Sequence, residues 1–259
     1  MLARTLLLSL ALTLGLALSP GLCSTATAAP TRRGKELTVQ QQYDLGLKYL
    51  QRGNHAKALE TFNRIRNYHR DDPLAIKAEL AVADVHFRKS DWDLARLAYE
   101  DFMRMHPRHP DIDHVVYRIG MSLYRKAPRL AARDQTWTRQ AVNTWAGFEA
   151  RFPESEHRVE VAERYQESRE RLARKELLIA RFYLRREAWT AVSGRANGLV
   201  KGWPESASTP EAWGLLAVAG AHQGDQGQVD AALEQVGKTD PARAERLRPR
   251  TQKALSEAE

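Results

Sequence analysis

The sequence of 259 residues predicts an all-α protein, an elongated α-solenoid of about five helical hairpins. Three observations predict it. From Tyr43 onward apolar residues recur three and four apart, as at Leu59 and Phe62, at Leu80, Ala83 and Phe87, and at Leu177, Ala180, Tyr183 and Leu184. Proline or glycine punctuates the chain about every 15 to 20 residues, the length of one helix plus its turn. Over both lies a longer period in which small residues and aromatics return in a fixed order.

In chain order the first element, residues 1–28, is a secretory signal peptide. Arg4 precedes an apolar run from Leu6 to Leu18 that is too short to span a bilayer, and Ala26 and Ala28 are the small residues preferred before the cut. Two maturation routes are open. Cleavage after Ala28 starts the mature chain at Ala29. Cleavage before Cys23 would leave that cysteine to carry lipid, although Leu22 and Pro20 stand where a lipoprotein signal has a small residue and a leucine. A lone cysteine makes no disulfide on either route. Residues 29–38 are expected to follow as a flexible segment.

The first unit contains "LGLKYLQRGNHAKALETF": Gly46, Tyr49, Ala58 and Phe62, closed by Pro73. This order resembles the tetratricopeptide repeat (TPR), in which small residues let two antiparallel helices approach and an aromatic fills the gap between them. Ala83, Ala95, Tyr99 and Pro107 repeat it in unit two, and Gly120, Ala141, Trp145 and Pro153 in unit three. A looser fourth unit runs through Ala180, Tyr183, Val192, Ala196 and Pro204, and a fifth has Gly220, Ala232 and Val236. Units 1–3 thus occupy residues 39–154 and units 4–5 residues 155–240, leaving 241–259 as a partly disordered tail.

Two stretches need separate treatment. "HPRHPDIDH" crowds His106, His109 and His114 with Asp111 and Asp113, but Pro107 closes unit two, and a proline-stiffened turn splays the side chains that a metal would need to converge. The reading is a turn with Asp111 or Asp113 as N-cap, and no metal. From Arg158 to about Glu187 neither proline nor glycine interrupts, and Glu167 with Arg171 and Glu170 with Arg174 are acid-before-base pairs four apart. One long solvent-laced helix is expected, a rigid strut between units three and four.

Composition narrows the function. Without Arg4 the exported chain has 39 Lys and Arg against 32 Asp and Glu, interleaved along helix faces, which argues against a nucleic-acid binder. No GxSxG, HExxH or phosphate-cradling glycine loop is present, so neither an enzyme nor a cofactor is expected. In a TPR stack the first helix of each unit lines the concave face. That places Tyr43, Lys77, Phe87, Arg88, Tyr117, Tyr124 and Arg125 in a groove suited to an extended peptide ending in an aromatic residue and a carboxylate. The same aromatics also fit a packed core, and the same basic residues a solvated face.

"HPRHPDIDHVVYRIGMSLY", "RFPESEH", "RLARKELLIARFYLRREAW" and "VSGRANGLVKGWPES", in this order across Tyr43 to Ala221, resemble the BamD family, the TPR lipoproteins of the outer-membrane β-barrel assembly machinery. The resemblance implies a scaffold at the periplasmic face of the outer membrane, touching the membrane only through a lipid anchor. Its first units would receive unfolded β-barrel outer-membrane proteins, and its last units would dock on the POTRA domains of BamA beside other assembly-machinery lipoproteins. It also implies that Arg195, at the start of the second helix of unit four, meets an acidic POTRA residue. The rival classes are a TPR adaptor for peptidoglycan or secretion-system assembly, which the same scaffold would serve, and an envelope enzyme.

Overall fold

The computed structural model describes residues 37–258, and these form twelve α-helices with no strand among them. Residues 1–28, where a signal peptide is expected, with Cys23 among them, and residues 29–36 lie outside the described residues. Chain order runs α1 (Val39–Gln51), α2 (His55–Tyr68), α3 (Pro73–Arg88), α4 (Trp92–Met105), α5 (Ile112–Lys126), α6 (Thr136–Trp145), α7 (Phe148–Arg151), α8 (Arg158–Leu184), α9 (Trp189–Gly202), α10 (Thr209–His222), α11 (Gln226–Thr239) and α12 (Pro241–Ala258). Most pack chiefly on their neighbours in sequence, with α12 also lying against α10 and α6 against α8, so the unit is a solenoid of TPR-like hairpins with short-range contacts.

Local chemistry sets the helix starts. Thr38 and Gln41 make a reciprocal capping box at α1, Asn54 caps α2 through Lys57 N–H, and Asp72 caps α3 just ahead of Pro73 at its first position. Side-chain size sets the pairing of hairpins. A Cβ on Gly46 would stand 2.6 Å from the Phe62 ring, and one on Gly120 would penetrate the Trp145 indole. Both aromatics are buried, so each glycine is the recess into which the second helix inserts its ring.

Three cores follow one another along the array. The first joins α1 to α3 around Phe62 and Ile65, the second joins α3 to α6 and the start of α8 around Tyr99, Phe102 and Trp145, and the third joins the rest of α8 to α12 around Leu199 and Leu216.

Two expectations are corrected here. The long helix stops at Leu184. Glu187 takes a left-handed φ of 54°, and Ala188 N–H donates back to the Tyr183 carbonyl, a helix-ending turn. The helix does link units three and four as expected: Val161 sits in the second core and Ala173, Leu177 and Ala180 in the third, while its other face carries partly exposed ion pairs. The tail expected to be partly disordered from 241 is instead α12, whose Ala244, Leu247 and Ala254 belong to the third core. Its charged composition hid an apolar stripe spaced three and seven residues apart, and packing on α10 and α11 orders it.

Candidate functional site: a concave groove with two charged ends

The first helices of successive hairpins, α1, α3, α5 and α8, each present a stripe of side chains to one side. On α3 the stripe is Lys77, Ala81 and Asp84, and on α5 it is His114, Tyr117, Met121 and Tyr124, the residues that a 3.6-residue turn brings to one face. Between the N-terminal hairpins these stripes enclose a cavity of about 650 Å³. Tyr43, Leu47, Leu50 and Leu80 give it an apolar wall. Asp84, Asp111, Asp113, Glu154 and Glu156 line it with carboxylates, and Lys77 is the one Lys or Arg among its lining residues.

The seven groove residues expected from sequence therefore divide. Tyr43 and Lys77 line the cavity. Phe87 is outside the lining, edge-on to Trp92 at 5.2 Å and covered by the Arg118 guanidinium at 4.4 Å. Arg88 and Arg125 are exposed and outside its lining. Tyr117 is buried beneath His157, its ring stacked at 4.1 Å, and Tyr124 lines a separate pocket further along. The expected aromatics and cations do not converge on one clamp.

What joins the two pockets is a ladder between α5 and α8. His114 Nδ1 meets His157 Nε2 at 3.1 Å, Tyr117 Oη donates to Glu160 at 2.8 Å, and Tyr124 Oη donates to Glu167 at 2.6 Å. Each rung joins residues 43 apart, and Arg171 donates to the Pro128 carbonyl at the same offset. A constant offset means that the two helices run parallel with matched rise. His114 also faces Asp84 at 3.3 Å, and that carboxylate accepts from the buried Tyr99 hydroxyl.

The far end of the ladder carries the opposite charge. A pocket of about 410 Å³ is lined by Tyr124, Arg129, Arg164, Arg171 and Arg174, against Glu167 and Glu170. Arg171 is 8% exposed and bonds Glu167 at 3.0 Å, one of the two acid–base pairs expected from sequence. The other is not formed. Glu170 accepts instead from Ser206 Oγ, Ser208 Oγ and Ala207 N–H, because the α9–α10 turn folds over it.

Ionisation follows these contacts. Burial raises the Tyr117 and Tyr124 hydroxyls above the ordinary tyrosine range, and their bonds to Glu160 and Glu167 add to it. Burial pulls the Glu167 carboxyl up, but the Tyr124 hydrogen bond and then the Arg171 charge outweigh it and hold the carboxyl below its usual value. His157 is lowered, first by burial and then by the neighbouring His114. His106 and His109 take no part in the ladder. His106 pairs with Glu79 at 2.8 Å, and His109 packs edge-on against Phe102. Asp111 sits at the α5 N-cap position without a side-chain cap bond.

Arg195 lies midway along α9 rather than at its start, exposed, with Nη1 bonded to Glu176 at 3.1 Å. His157, Glu160, Arg164 and Arg171 were not singled out as groove residues from sequence. Their only local signal is the three-and-four spacing of 157, 160, 164, 167 and 171, which equally describes a solvated face.

Stacked hairpins joined by a ladder between α5 and α8 define a TPR-type repeat protein. No helix among the described residues is long and apolar enough to cross a membrane. The chain belongs to the YfiO family of outer membrane lipoproteins, whose family model matches residues 35–233. A relative from Xylella fastidiosa (strain 9a5c), named outer membrane protein assembly factor BamD, is 28% identical over 207 residues, spanning 76% of this chain and 71% of its own. A Neisseria gonorrhoeae protein of the same name is 26% identical over 221 residues, spanning 81% and 82%. Among solved structures, a thermophilic TPR protein of Thermus thermophilus aligns with a TM-score of 0.34 at 18% identity, over 84% of this chain and 99% of that one.

Proposed function

We propose that this protein is a non-enzymatic scaffold for assembling β-barrel proteins into the outer membrane, working at its periplasmic face. Units 1–3, residues 39–154, receive unfolded outer-membrane proteins, and units 4–5, residues 155–240, dock on the POTRA domains of BamA. Family membership, together with the assembly-factor name shared by relatives that span most of both chains, supports the role. The cavity beside Tyr43 and Lys77 supports a client site, since it combines an apolar wall with charged side chains at the open side of three hairpins.

Arg195 is the proposed contact to BamA. It is exposed, and its partner Glu176 is a carboxylate that an acidic POTRA residue would replace, so docking exchanges one ion pair for another. Cys23 is the proposed lipid anchor. Affinity capture of the chain from solubilised outer membranes tests the role. BamA among the captured proteins supports it, whereas capture of a peptidoglycan or secretion assembly without BamA overturns it.

A further inference from the structure

The two ends of the groove differ in charge, and the ladder fixes their separation. At the cavity end five carboxylates face one lysine and the imidazoles of His114 and His157. Asp84 is occupied by Tyr99 and His114, Asp111 lies 3.8 Å from His109, and Glu156 lies 3.6 Å from His157. Asp113 and Glu154 have no ion-pair partner among the described residues. At the other end four arginines face two carboxylates, and Glu170 is held by the α9–α10 turn. Glu167 shows what this end accepts, a carboxylate gripped by Arg164, Arg171 and the Tyr124 hydroxyl. Arg129 and Arg174 remain exposed around it.

We infer that the groove is polar end to end and takes one orientation of an extended peptide. The peptide's terminal carboxylate sits among Arg129, Arg164, Arg171 and Arg174, and a lysine or arginine side chain upstream enters the acidic cavity past Asp113 and Glu154. The spacing follows from geometry. His114 and Tyr124 bracket the two ends on α5 and stand about 15 Å apart at about 1.5 Å rise per residue. An extended chain covers that distance in about four to five residues at about 3.3 Å each. Reversing the peptide places a carboxylate against carboxylates and a cation against arginines, and like charges at close range select against that orientation. The ring of Tyr117 on His157 and the apolar Leu47, Leu50 and Leu80 leave the cavity wall for the aliphatic stem of the basic side chain.

This inference rests on the client reading above, extends the client groove beyond residue 154 onto the first half of α8, and adds to it a charge order and a spacing. The test is fluorescence anisotropy with the full mature chain and a labelled peptide of about ten residues, ending in Phe with a free carboxylate and carrying lysine about four residues before it. Lysine→glutamate and C-terminal amidation in the peptide should each weaken binding about tenfold, the size of one lost charge-assisted contact. In the double variant Asp113→Asn with Glu154→Gln, the lysine change should lose its effect while amidation keeps its own. In Arg129→Gln with Arg174→Gln, the pattern should invert. All four positions are outside the cores, so these variants should retain the wild-type circular dichroism spectrum. Equal binding of all peptides, or charge sensitivity that does not follow the matching end, overturns the polar groove and leaves the client reading standing. Absence of binding by every peptide overturns both.

Discussion

Gly120→Ala should destabilise the protein, although alanine is the better helix former. The new Cβ falls inside the contact distance of the Trp145 indole, meeting Cε2 and Nε1. The ring is 2% exposed and walled by the second core, so it cannot swing into solvent and α5 must move away from α6. Overpacking of this kind costs about 3 kcal/mol at its upper end, and exchanging glycine for alanine in a helix returns about 1 kcal/mol. The net loss is about 2 kcal/mol, or about 4 to 8 °C in unfolding midpoint for a chain of this size. Gly198→Ala is the control. Gly198 lies within α9, exposed, and a Cβ added there would have nothing within 4 Å, so only the propensity gain remains and the midpoint should rise by about 2 to 4 °C. Thermal melts followed by far-UV circular dichroism check both. A rise for Gly120→Ala, or shifts of the same sign for both variants, would refute the view that the repeat glycine is a steric requirement.

Three further outcomes are expected. Arg195→Glu should reduce BamA co-purification about tenfold or more by replacing an attraction with a repulsion, while the melting midpoint moves little because an exposed pair with Glu176 contributes at most about 1 kcal/mol; unchanged co-purification removes Arg195 from the interface. His157, and His86 in the last turn of α3, are both held below the ordinary histidine value of about 6.5, chiefly by burial, so the unfolded chain takes up protons first, and stability that is complete above that value should fall as the pH drops through the lower folded values. Urea midpoints between about pH 7.5 and 5 measure this, and His157→Gln should flatten part of the slope; a flat wild-type profile would contradict the assignment. Leu247→Ala should cost about 2 to 3 kcal/mol by emptying the contact of α12 with α10, read as a lower urea midpoint, and an unchanged midpoint would mean that α12 docks without stabilising the third core.

Much of the hairpin array was legible because its determinants are local. Gly46 with Phe62, Ala83 with Tyr99 and Gly120 with Trp145 mark where two helices close, and prolines mark where they end, so helix type and order follow from spacing alone. The end of α8 was less legible, since it depends on Glu187 adopting a left-handed conformation that its side chain does not favour. The helix at Pro241–Ala258 was hidden for a related reason: its charged residues dominate the composition, and only docking on α10 and α11 makes its four buried positions count.

The groove divides the same way. The period of α5 and α3 puts His114, Tyr117 and Tyr124 on one stripe and Lys77 and Asp84 on another, and this needed no structure. Which stripe faces which was decided by tertiary packing. Pairing Tyr117 with Glu160 and Tyr124 with Glu167 requires α5 and α8 to lie parallel at an offset of 43 residues. No short-range pattern encodes that offset, because it sums the lengths of α6, α7 and the turns between them. Charge sign depended on it too. Acids and bases are interleaved along the chain in short local groups, and the stacking of hairpins brings Asp111 and Asp113 together with Glu154 and Glu156 at one end of the groove and Arg129 together with Arg164, Arg171 and Arg174 at the other. Periodicity is a property of single helices and survives in sequence, whereas electrostatic polarity is a property of their juxtaposition and arises only when the array closes.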